Sequence, residues 1–150
     1  MIEFYDPGPL IDDDLELVLL ETFSGDPTRN WVPSYRFAMR RVGCEEQIGR
    51  IDLRVGHTDL LDHIGGQIGY SVAPEHRGHH YAARACKLLL PLARRHDLGV
   101  VWITCNPDNW ASRRTCELAG AQFVEIVPVP EDHELYLQGD RQKCRYRIDL

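Results

Sequence analysis

The strongest constraint on the fold is a change in the spacing of apolar residues between positions 67 and 104. Residues Gln67–Ala73 alternate between apolar and polar side chains, which is typical of a half-buried strand, and Pro74 ends it. From Tyr81 to His96 the apolar residues recur at i, i+3, i+4 and i+7, which predicts an amphipathic helix. Val100–Thr104 is β-branched and aromatic, which indicates a buried strand of the parallel type. Together these segments predict a strand–helix–strand unit with a right-handed crossover.

The other segments complete one layered domain of the α+β (α/β) class over residues 1–150. Pro91 is expected to kink the long helix, because its ring removes one backbone hydrogen bond. A second helix, capped by Asn109 and ended by Gly120, is predicted over residues 110–119. The strands over residues 67–73 and 100–104 are the fourth and fifth in chain order. The other predicted strands are Leu15–Thr22, Tyr35–Arg41, Gln47–Val55, Gln122–Val129 and Arg145–Asp149.

Composition argues against several functional classes. The 150 residues carry a formal net charge of −6, which disfavours nucleic-acid binding because a polyanion requires a basic face. No apolar run approaches the roughly 20 residues that a membrane span needs. The acidic, proline-broken N-terminus is unlike a signal peptide. The five cysteines form no C-x-x-C pair and are interpreted as reduced thiols. These features predict a cytoplasmic protein that binds neither membranes nor nucleic acid.

The predicted long helix is basic within an acidic chain. Residues 76–96 contain no aspartate or glutamate, and their cationic residues are Arg77, Arg84, Lys87, Arg94 and Arg95. Such a segment favours a small anionic ligand. The alternative is a solvated helix face that is basic without a ligand.

The tight turn from strand to helix is a second reason to expect an anion. The first N–H groups of a helix lack partners and its dipole favours negative charge, which suits a diphosphate. Gly78 and the small pair Ala82–Ala83 let a ligand approach the backbone closely. A metal site of His76, His79 and His80 is the alternative. Adjacent histidines diverge and no nearby carboxylate or cysteine completes the set, so no metal is expected.

This junction resembles that of the GNAT (Gcn5-related N-acetyltransferase) superfamily. The family signature [QR]-x-x-G-x-[GA] starts the helix after the fourth strand, and Arg77 and Ala82 match its first and last positions. His80 stands where the signature has glycine, and a histidine adopts positive φ only at a cost. A second family motif, an asparagine and a small residue after the fifth strand, is matched by Asn109 and Ser112. The resemblance covers about residues 35–150.

The resemblance implies a mixed, mostly antiparallel sheet whose fourth and fifth strands splay apart, with helices on its faces. It implies that acetyl-CoA binds in this wedge, with the pantetheine arm along the fourth strand and the pyrophosphate on the N–H groups of Gly78 to Ala83. The N–H near Val72 would hold the oxyanion. The cofactor-binding residues implied are Tyr70, Ser71, Val72, Arg77, Gly78, His79, His80, Tyr81, Ala82, Ala83, Asn109 and Ser112.

Family members transfer the acyl group directly to an amine with the help of an acid and a base. In the family the acid is often a tyrosine four residues after the position of Ser112, and in this chain that place is taken by Cys116. The alternative is that this thiol only packs in the core. The fourth strand carries no carboxylate, so the base is Tyr70, a bound water or a loop residue such as His63.

The acceptor side departs from the family pattern. GNAT proteins usually carry two helices between the first and second strands, whereas only residues 23–34 stand there in this chain. This shortened helical region leaves the acceptor side open, or it is completed by a second subunit in a homodimer or by the loop over residues 130–140. The acceptor amine is therefore left unassigned.

Three functional hypotheses follow from these residues. The first is an N-acetyltransferase that uses acetyl-CoA to modify a primary amine of a small molecule or a peptide. The second is a non-catalytic module that binds an acyl-CoA. The third, a metal-dependent hydrolase, is supported by the histidines alone.

Overall fold

The structure is a computed structural model that describes residues 2–150. It contains eight strands and three helices in a mixed order. The strands are β1 (Leu10–Asp12), β2 (Leu15–Phe23), β3 (Ser34–Arg41), β4 (Gln47–Arg54), β5 (Ile68–Val72), β6 (Val100–Cys105), β7 (Gln122–Pro128) and β8 (Gln142–Asp149). The helices are α1 (Tyr81–Arg95), α2 (Trp110–Leu118) and the short α3 (Glu134–Leu137).

The strands form two antiparallel sheets. The larger sheet has the order β1-β2-β3-β4-β5 and the smaller has the order β6-β8-β7. The fourth and fifth predicted strands are β5 and β6, and they lie at the facing edges of the two sheets. The α+β class and the separation of these two strands are confirmed.

The predicted parallel pairing of the strands that flank α1 is wrong. β6 pairs with β8, and every ladder within residues 2–150 is antiparallel. The apolar run in β6 arises because both of its faces are covered. Ile103 lies in the core under the helices, while Trp102, on the opposite face, lies toward the π-helical turn Leu61–Gly65 that packs on β6. A continuous apolar strand thus reports burial and does not report the direction of its neighbour.

The two longer helices cover the core. α1 contacts β1, β2, β4 and β5 through an apolar stripe, and α2 packs against α1, β6 and β7. Pro91 is exposed, and α1 continues through it to Arg95. The buried stripe of α1 matches the predicted spacing and consists of Ala82, Ala85, Cys86, Leu89, Leu92 and Ala93.

The region between β2 and β3 is short, as the sequence predicts. It contains one 3₁₀ turn, Pro27–Arg29, and the family's two helices are not found among the described residues. The sequence did not predict β1, which pairs with β2 ahead of it. The chain before β1 packs on the core, where the N–H of Tyr5 donates to the Tyr35 hydroxyl at 2.8 Å.

Candidate functional site

β5 and β6 are joined at one end by a buried glutamine. The N–H of Gln67 donates to the Trp102 carbonyl at 2.8 Å, and the Gln67 side-chain oxygen accepts from the Trp102 N–H at 2.7 Å. The Gln67 amide nitrogen donates to Asp62 at 2.7 Å, and the residue is fully buried. Gly66 permits this approach, because a Cβ there would lie 2.7 Å from the Trp102 carbonyl oxygen. The split between the sheets therefore begins directly after Gln67.

Beyond that point the edge of β5 faces an open cleft. The N–H of Arg54 bonds the Gln67 carbonyl and the N–H of Ala73 bonds the Ile48 carbonyl. In the observed register these bonds assign Gly69 and Ser71 to the ladder with β4. The backbone groups of Tyr70 and Val72 consequently point away from β4, toward β6. Such an edge can pair with an extended, amide-containing ligand.

The other wall of the cleft is the start of α1. Pro74–His76 form a 3₁₀ turn, Gly78 has φ of 95°, and His80 has φ of 60° as the residue before the helix. His80 therefore adopts the left-handed conformation for which the family signature uses glycine. No side chain caps α1, and its first intrahelical bond runs from the Arg84 N–H to the His80 carbonyl. The earlier N–H groups are thus available to an anion.

The two walls enclose a cavity of about 470 Å³. Ten of the twelve predicted cofactor-binding residues line it; of the other two, Ala83 is buried within α1 and His79 is exposed beside the Tyr81 ring. Sequence reasoning missed the lining residues His76, Ala111, Arg114, Thr115 and Leu118. α2 supplies most of these, and its approach to the α1 start is a tertiary contact that no local pattern indicates.

The charges around this cavity differ in part from the sequence prediction. Arg77 lines the cavity, but its Nε donates to the Val72 carbonyl at 3.1 Å, so the side chain folds back along β5. Arg84 turns away to Asp12 and Asp14, at 2.7 and 2.6 Å. The hydrogen bond from Arg84 lowers the pKa of the Asp14 carboxyl. The charge of Arg84 is therefore already balanced. Arg114 on α2 also lines the cavity and pairs with Glu117 at 3.1 Å.

The structure brings the two predicted catalytic residues together beneath the cleft. The Tyr70 hydroxyl lies 2.6 Å from the Ser112 hydroxyl and 4.0 Å from the Cys116 sulfur. Asn109 caps α2 by accepting from the Ser112 N–H at 3.1 Å, which fixes the helix start beside Tyr70. Burial raises the pKa of the Tyr70 phenol well above its usual range. The phenol is therefore protonated at neutral pH.

A third sulfur adjoins this pair and was not predicted to take part. A hydrogen bond from the Cys116 thiol lowers the pKa of Cys105 to about 7. The same bond, together with burial, raises the pKa of Cys116. Cys144 lies directly opposite Cys105 in the β6–β8 ladder. Cys105 is thus the sulfur in this cluster that ionises most readily.

The histidines serve other contacts. His76 bonds Glu46 at 3.0 Å, and His57 lies between Asp62 at 2.9 Å and the Leu98 carbonyl at 2.8 Å. His63, one of the candidate bases, is exposed and bonds the Asp59 carbonyl. Within residues 2–150, no cluster of three or more histidine, cysteine or acidic side chains could hold a metal ion. No helix of that range is long and apolar enough to cross a membrane.

Comparison with known structures gives the same fold at low sequence identity. A putative ribosomal-protein-serine acetyltransferase from Vibrio cholerae superposes with a TM-score of 0.68 at 15% identity, over 97% of this chain and 100% of the other. The microcin C7 self-immunity acetyltransferase MccE, solved with acetyl-CoA and AMP, gives 0.61 at 14% identity over 78% of this chain. The ribosomal L7/L12 α-N-protein acetyltransferase RimL, solved with coenzyme A, gives 0.59 at 17% identity, also over 78%.

Coverage and family membership complete the comparison. The chain spans 61% of the MccE structure and 62% of the RimL structure. No curated protein matches the sequence. Residues 3–122 match the family described as an acetyltransferase (GNAT) domain, which is most of the chain. The chain therefore belongs to the GNAT acetyltransferase family.

Proposed function

We propose that this protein transfers an acetyl group from acetyl-CoA to the nitrogen of a primary amine. The observation that carries the proposal is a β5 edge that pairs with no further strand and faces an uncapped helix start across one cavity of about 470 Å³. The edge suits the amides of a pantetheine arm and the helix start suits a diphosphate. MccE and RimL, which share the fold, were solved with acetyl-CoA and coenzyme A.

The residues around Tyr70 supply groups suited to acyl transfer. Acetyl-CoA provides a thioester as the acyl donor. The amine nitrogen attacks the carbonyl carbon, the carbon–sulfur bond breaks, the amine loses a proton and the departing sulfur gains one. The N–H of Val72 faces the cleft and would stabilise the oxyanion that forms on attack.

Tyr70 and Cys116 are the proposed source of the proton for the departing sulfur. The Tyr70 phenol carries a proton at neutral pH, and its oxygen lies 2.6 Å from the Ser112 hydroxyl. Cys116 lies next to the phenol and also keeps its proton, since its pKa is raised. No side-chain base is assigned, and a bound water is the proposed acceptor of the amine proton.

Cofactor binding is tested by thermal unfolding with and without acetyl-CoA. A ligand that binds only the folded state raises the Tm. We expect a rise for the wild-type protein and none for Arg77→Glu, which puts a carboxylate on the cavity wall. Arg94→Glu, the same charge change at an exposed position near the end of α1, is the matched control and should keep the rise. No shift with acetyl-CoA or coenzyme A at millimolar concentration would contradict the cofactor assignment.

Transfer is tested by release of free thiol with a panel of primary amines. Turnover with at least one amine supports the enzyme. Tight acetyl-CoA binding without turnover for any amine would instead support the non-catalytic acyl-CoA-binding module. That second candidate is favoured by two departures from the family pattern, His80 in place of glycine and a thiol at Cys116.

A further inference from the structure

A second cavity, of about 390 Å³, shares no lining residue with the first. Three connections form its walls: the β2–β3 loop, the segment between β4 and β5, and the β7–β8 loop that contains α3. The last of these contains residues 130–140, the loop expected from the sequence to complete the acceptor side in place of the two helices that other family members carry there. The cavity therefore occupies the side of the molecule on which an acceptor is expected.

The outer wall of this cavity is apolar and accessible. Phe23, Trp31 and Leu60 line it and are 44%, 52% and 48% exposed. The rings of Phe23 and Trp31 meet at 63° with centroids 6.4 Å apart. Large apolar side chains that gather at one exposed cavity are typical of a ligand or partner site.

The inner end of the cavity carries an arginine without a counter-ion. Arg54 Nη1 donates to the Gly66 carbonyl at 2.8 Å. Among the described residues no carboxylate lies within 4.0 Å of its guanidinium, and the neighbouring Asp52 is held by Arg36 at 3.1 Å. Burial lowers the pKa of Arg54, and the nearby Arg36 and Arg50 act in the same direction. A partly buried guanidinium in this state favours an anionic ligand group.

Arg54 also lies close to the proposed site of transfer. A Cβ built on Gly69 would stand 3.6 and 3.7 Å from its two terminal nitrogens, so the guanidinium lies over the backbone of Gly69. The next residue, Tyr70, is the proposed proton donor. The cationic end of the second cavity is thus separated from the cleft by the single strand β5.

Two other charged residues line the wall. Arg29 pairs with Asp26 at 3.6 Å and lies over the Trp31 ring at 4.9 Å. Glu134 is exposed and accepts from the neutral Gln138 amide at 3.3 Å. Arg54 is therefore the cation on this wall that has no carboxylate partner among the described residues and that an anionic ligand group would meet.

We propose that this cavity binds the acceptor, and that the acceptor is a primary amine that also carries an anionic group and an aromatic or large aliphatic group. Arg54 binds the anionic group, a carboxylate or a phosphate, while Phe23, Trp31 and Leu60 hold the apolar group. This assignment of the acceptor class rests on the proposed acetyl transfer.

Binding is measured by titration calorimetry without coenzyme A. The probes are phenylalanine, O-phosphotyramine and phenethylamine, which share a primary amine and an aromatic ring; the first adds a carboxylate, the second a phosphate, and the third neither. We expect at least one anionic probe to bind about tenfold or more tightly than phenethylamine, the gain of a hydrogen bond to a charged group. Which anionic probe gains more identifies the group that Arg54 prefers.

Variants assign that gain to the cavity. Arg54→Gln should remove the preference for the anionic probe, and Arg54→Lys should retain most of it. Trp31→Ala should weaken all three probes, and because Trp31 is half exposed this variant tests the cavity even if Arg54→Gln does not fold. Equal affinity for phenethylamine and the anionic probes, or an anion preference that survives in Arg54→Gln, would overturn the proposal.

Free-thiol release separates this inference from the proposed function. Transfer to phenethylamine with the same kcat/KM as to the anionic amines would keep the acetyltransferase and overturn the acceptor class. Anion-selective binding that depends on Arg54, without transfer to any amine, would keep the cavity and overturn the transferase. Preferential acetylation of an anionic amine, lost in Arg54→Gln, supports both.

Discussion

The two ends of the split between β5 and β6 show how side chains turn two strand edges into a binding cleft. At the closed end, Gln67 spans the gap with its own backbone and side chain, and both groups bond Trp102. At the open end, Tyr70 reaches across to Ser112 on α2, and no strand pairs with the backbone edge of β5 beside it. At the closed end, buried hydrogen bonds hold β5 and β6 together. At the open end, the bulky Tyr70 side chain lies between the two strands, and the gap is large enough for a ligand.

This difference shows that the position of a residue along the short strand β5 decides whether β5 and β6 are joined or separated by the cleft. Gly66 and Gln67 permit close contact, because one has no side chain and the other supplies hydrogen bonds toward both Asp62 and Trp102. Three residues later, Tyr70 has no such partner on β6 and is supported by α2 instead. The cavity therefore begins at the point along β5 where its backbone no longer contacts β6 and where the Tyr70 side chain contacts α2 instead.

The largest effect is expected from breaking the closed end. Gln67→Leu removes the partner of the buried Trp102 N–H and one of the two partners of the partly buried Asp62, which keeps its bond to His57. Unsatisfied groups of this kind cost about 2–4 kcal/mol in the free energy of unfolding. Urea unfolding measures the loss. Gln47→Leu, the same exchange at an exposed residue of β4, should change stability by less than about 0.5 kcal/mol. Equal stability of both variants would show that Gln67 does not join the sheets.

A smaller effect, on rate, is expected at the open end. Tyr70→Phe keeps the ring but removes the proton and the bond to Ser112, so kcat should fall about 10- to 100-fold. The KM for acetyl-CoA should change little, since the backbone edge is intact. Tyr5→Phe, in the segment ahead of β1, is the control and should retain the wild-type rate. An unchanged kcat in Tyr70→Phe would assign the proton transfer to Cys116 or to water.

The thiols of the open end predict a pH dependence of stability. Cys105 ionises near pH 7 in the folded protein and near pH 9 when unfolded, so between these values the folded state binds fewer protons. The free energy of unfolding should therefore rise with pH across this window. The contribution of Cys105 is lost as pH falls through about 7. Above pH 9 the raised pKa of Cys116 acts in the opposite direction.

This dependence is measured by urea unfolding at several pH values between 6 and 10. Cys105→Ser should lose the rise between pH 7 and pH 9, while Cys44→Ser, at an exposed thiol outside the cluster, should retain it. A rise that persists in Cys105→Ser would assign the titration to another group.

The smallest effect is expected from loosening the helix that walls the open end. Asn109→Ala removes the cap of α2 and should cost about 1 kcal/mol. Asn109→Asp keeps an acceptor for the Ser112 N–H and should recover most of that loss. A matching change in acetyl-CoA affinity, measured by calorimetry, would show that the cap positions Ser112 for the cofactor. Loss of stability alone would limit Asn109 to a structural role.

Much of the cavity of about 470 Å³ between β5 and α1 could be predicted from the sequence because its parts are local. A strand that ends at Pro74, a glycine and a helix that starts at Tyr81 are consecutive in the chain, so their spacing reports the junction directly. The cavity proposed for the acceptor could not be predicted in this way. Phe23 ends β2, Arg54 ends β4 and Leu135 lies in α3, and no local pattern shows that these three elements meet.

Two particular misses have the same physical cause. The parallel strand pair was predicted because β6 is apolar on both faces, but which strand lies beside β6 depends on long-range packing. The sequence predicts Gln67 only as the first residue of a strand. It joins the two sheets because Trp102, 35 residues away, bonds it across the split. The glycines at positions 65 and 66 were the available signal of a close backbone approach there.

The sequence by itself determined the α+β class, the order of the elements and the strand–turn–helix junction at Pro74 to Tyr81, because hydrophobic period and turn residues act over short stretches of chain. Tertiary structure alone decided that Arg84 is neutralised by Asp12 and Asp14, that Cys105 joins Tyr70 and Cys116, and that Arg54 is left without a counter-ion. Each of these outcomes depends on contacts between residues that are far apart in the chain. Whether a charge is compensated or a group is buried is decided by such contacts.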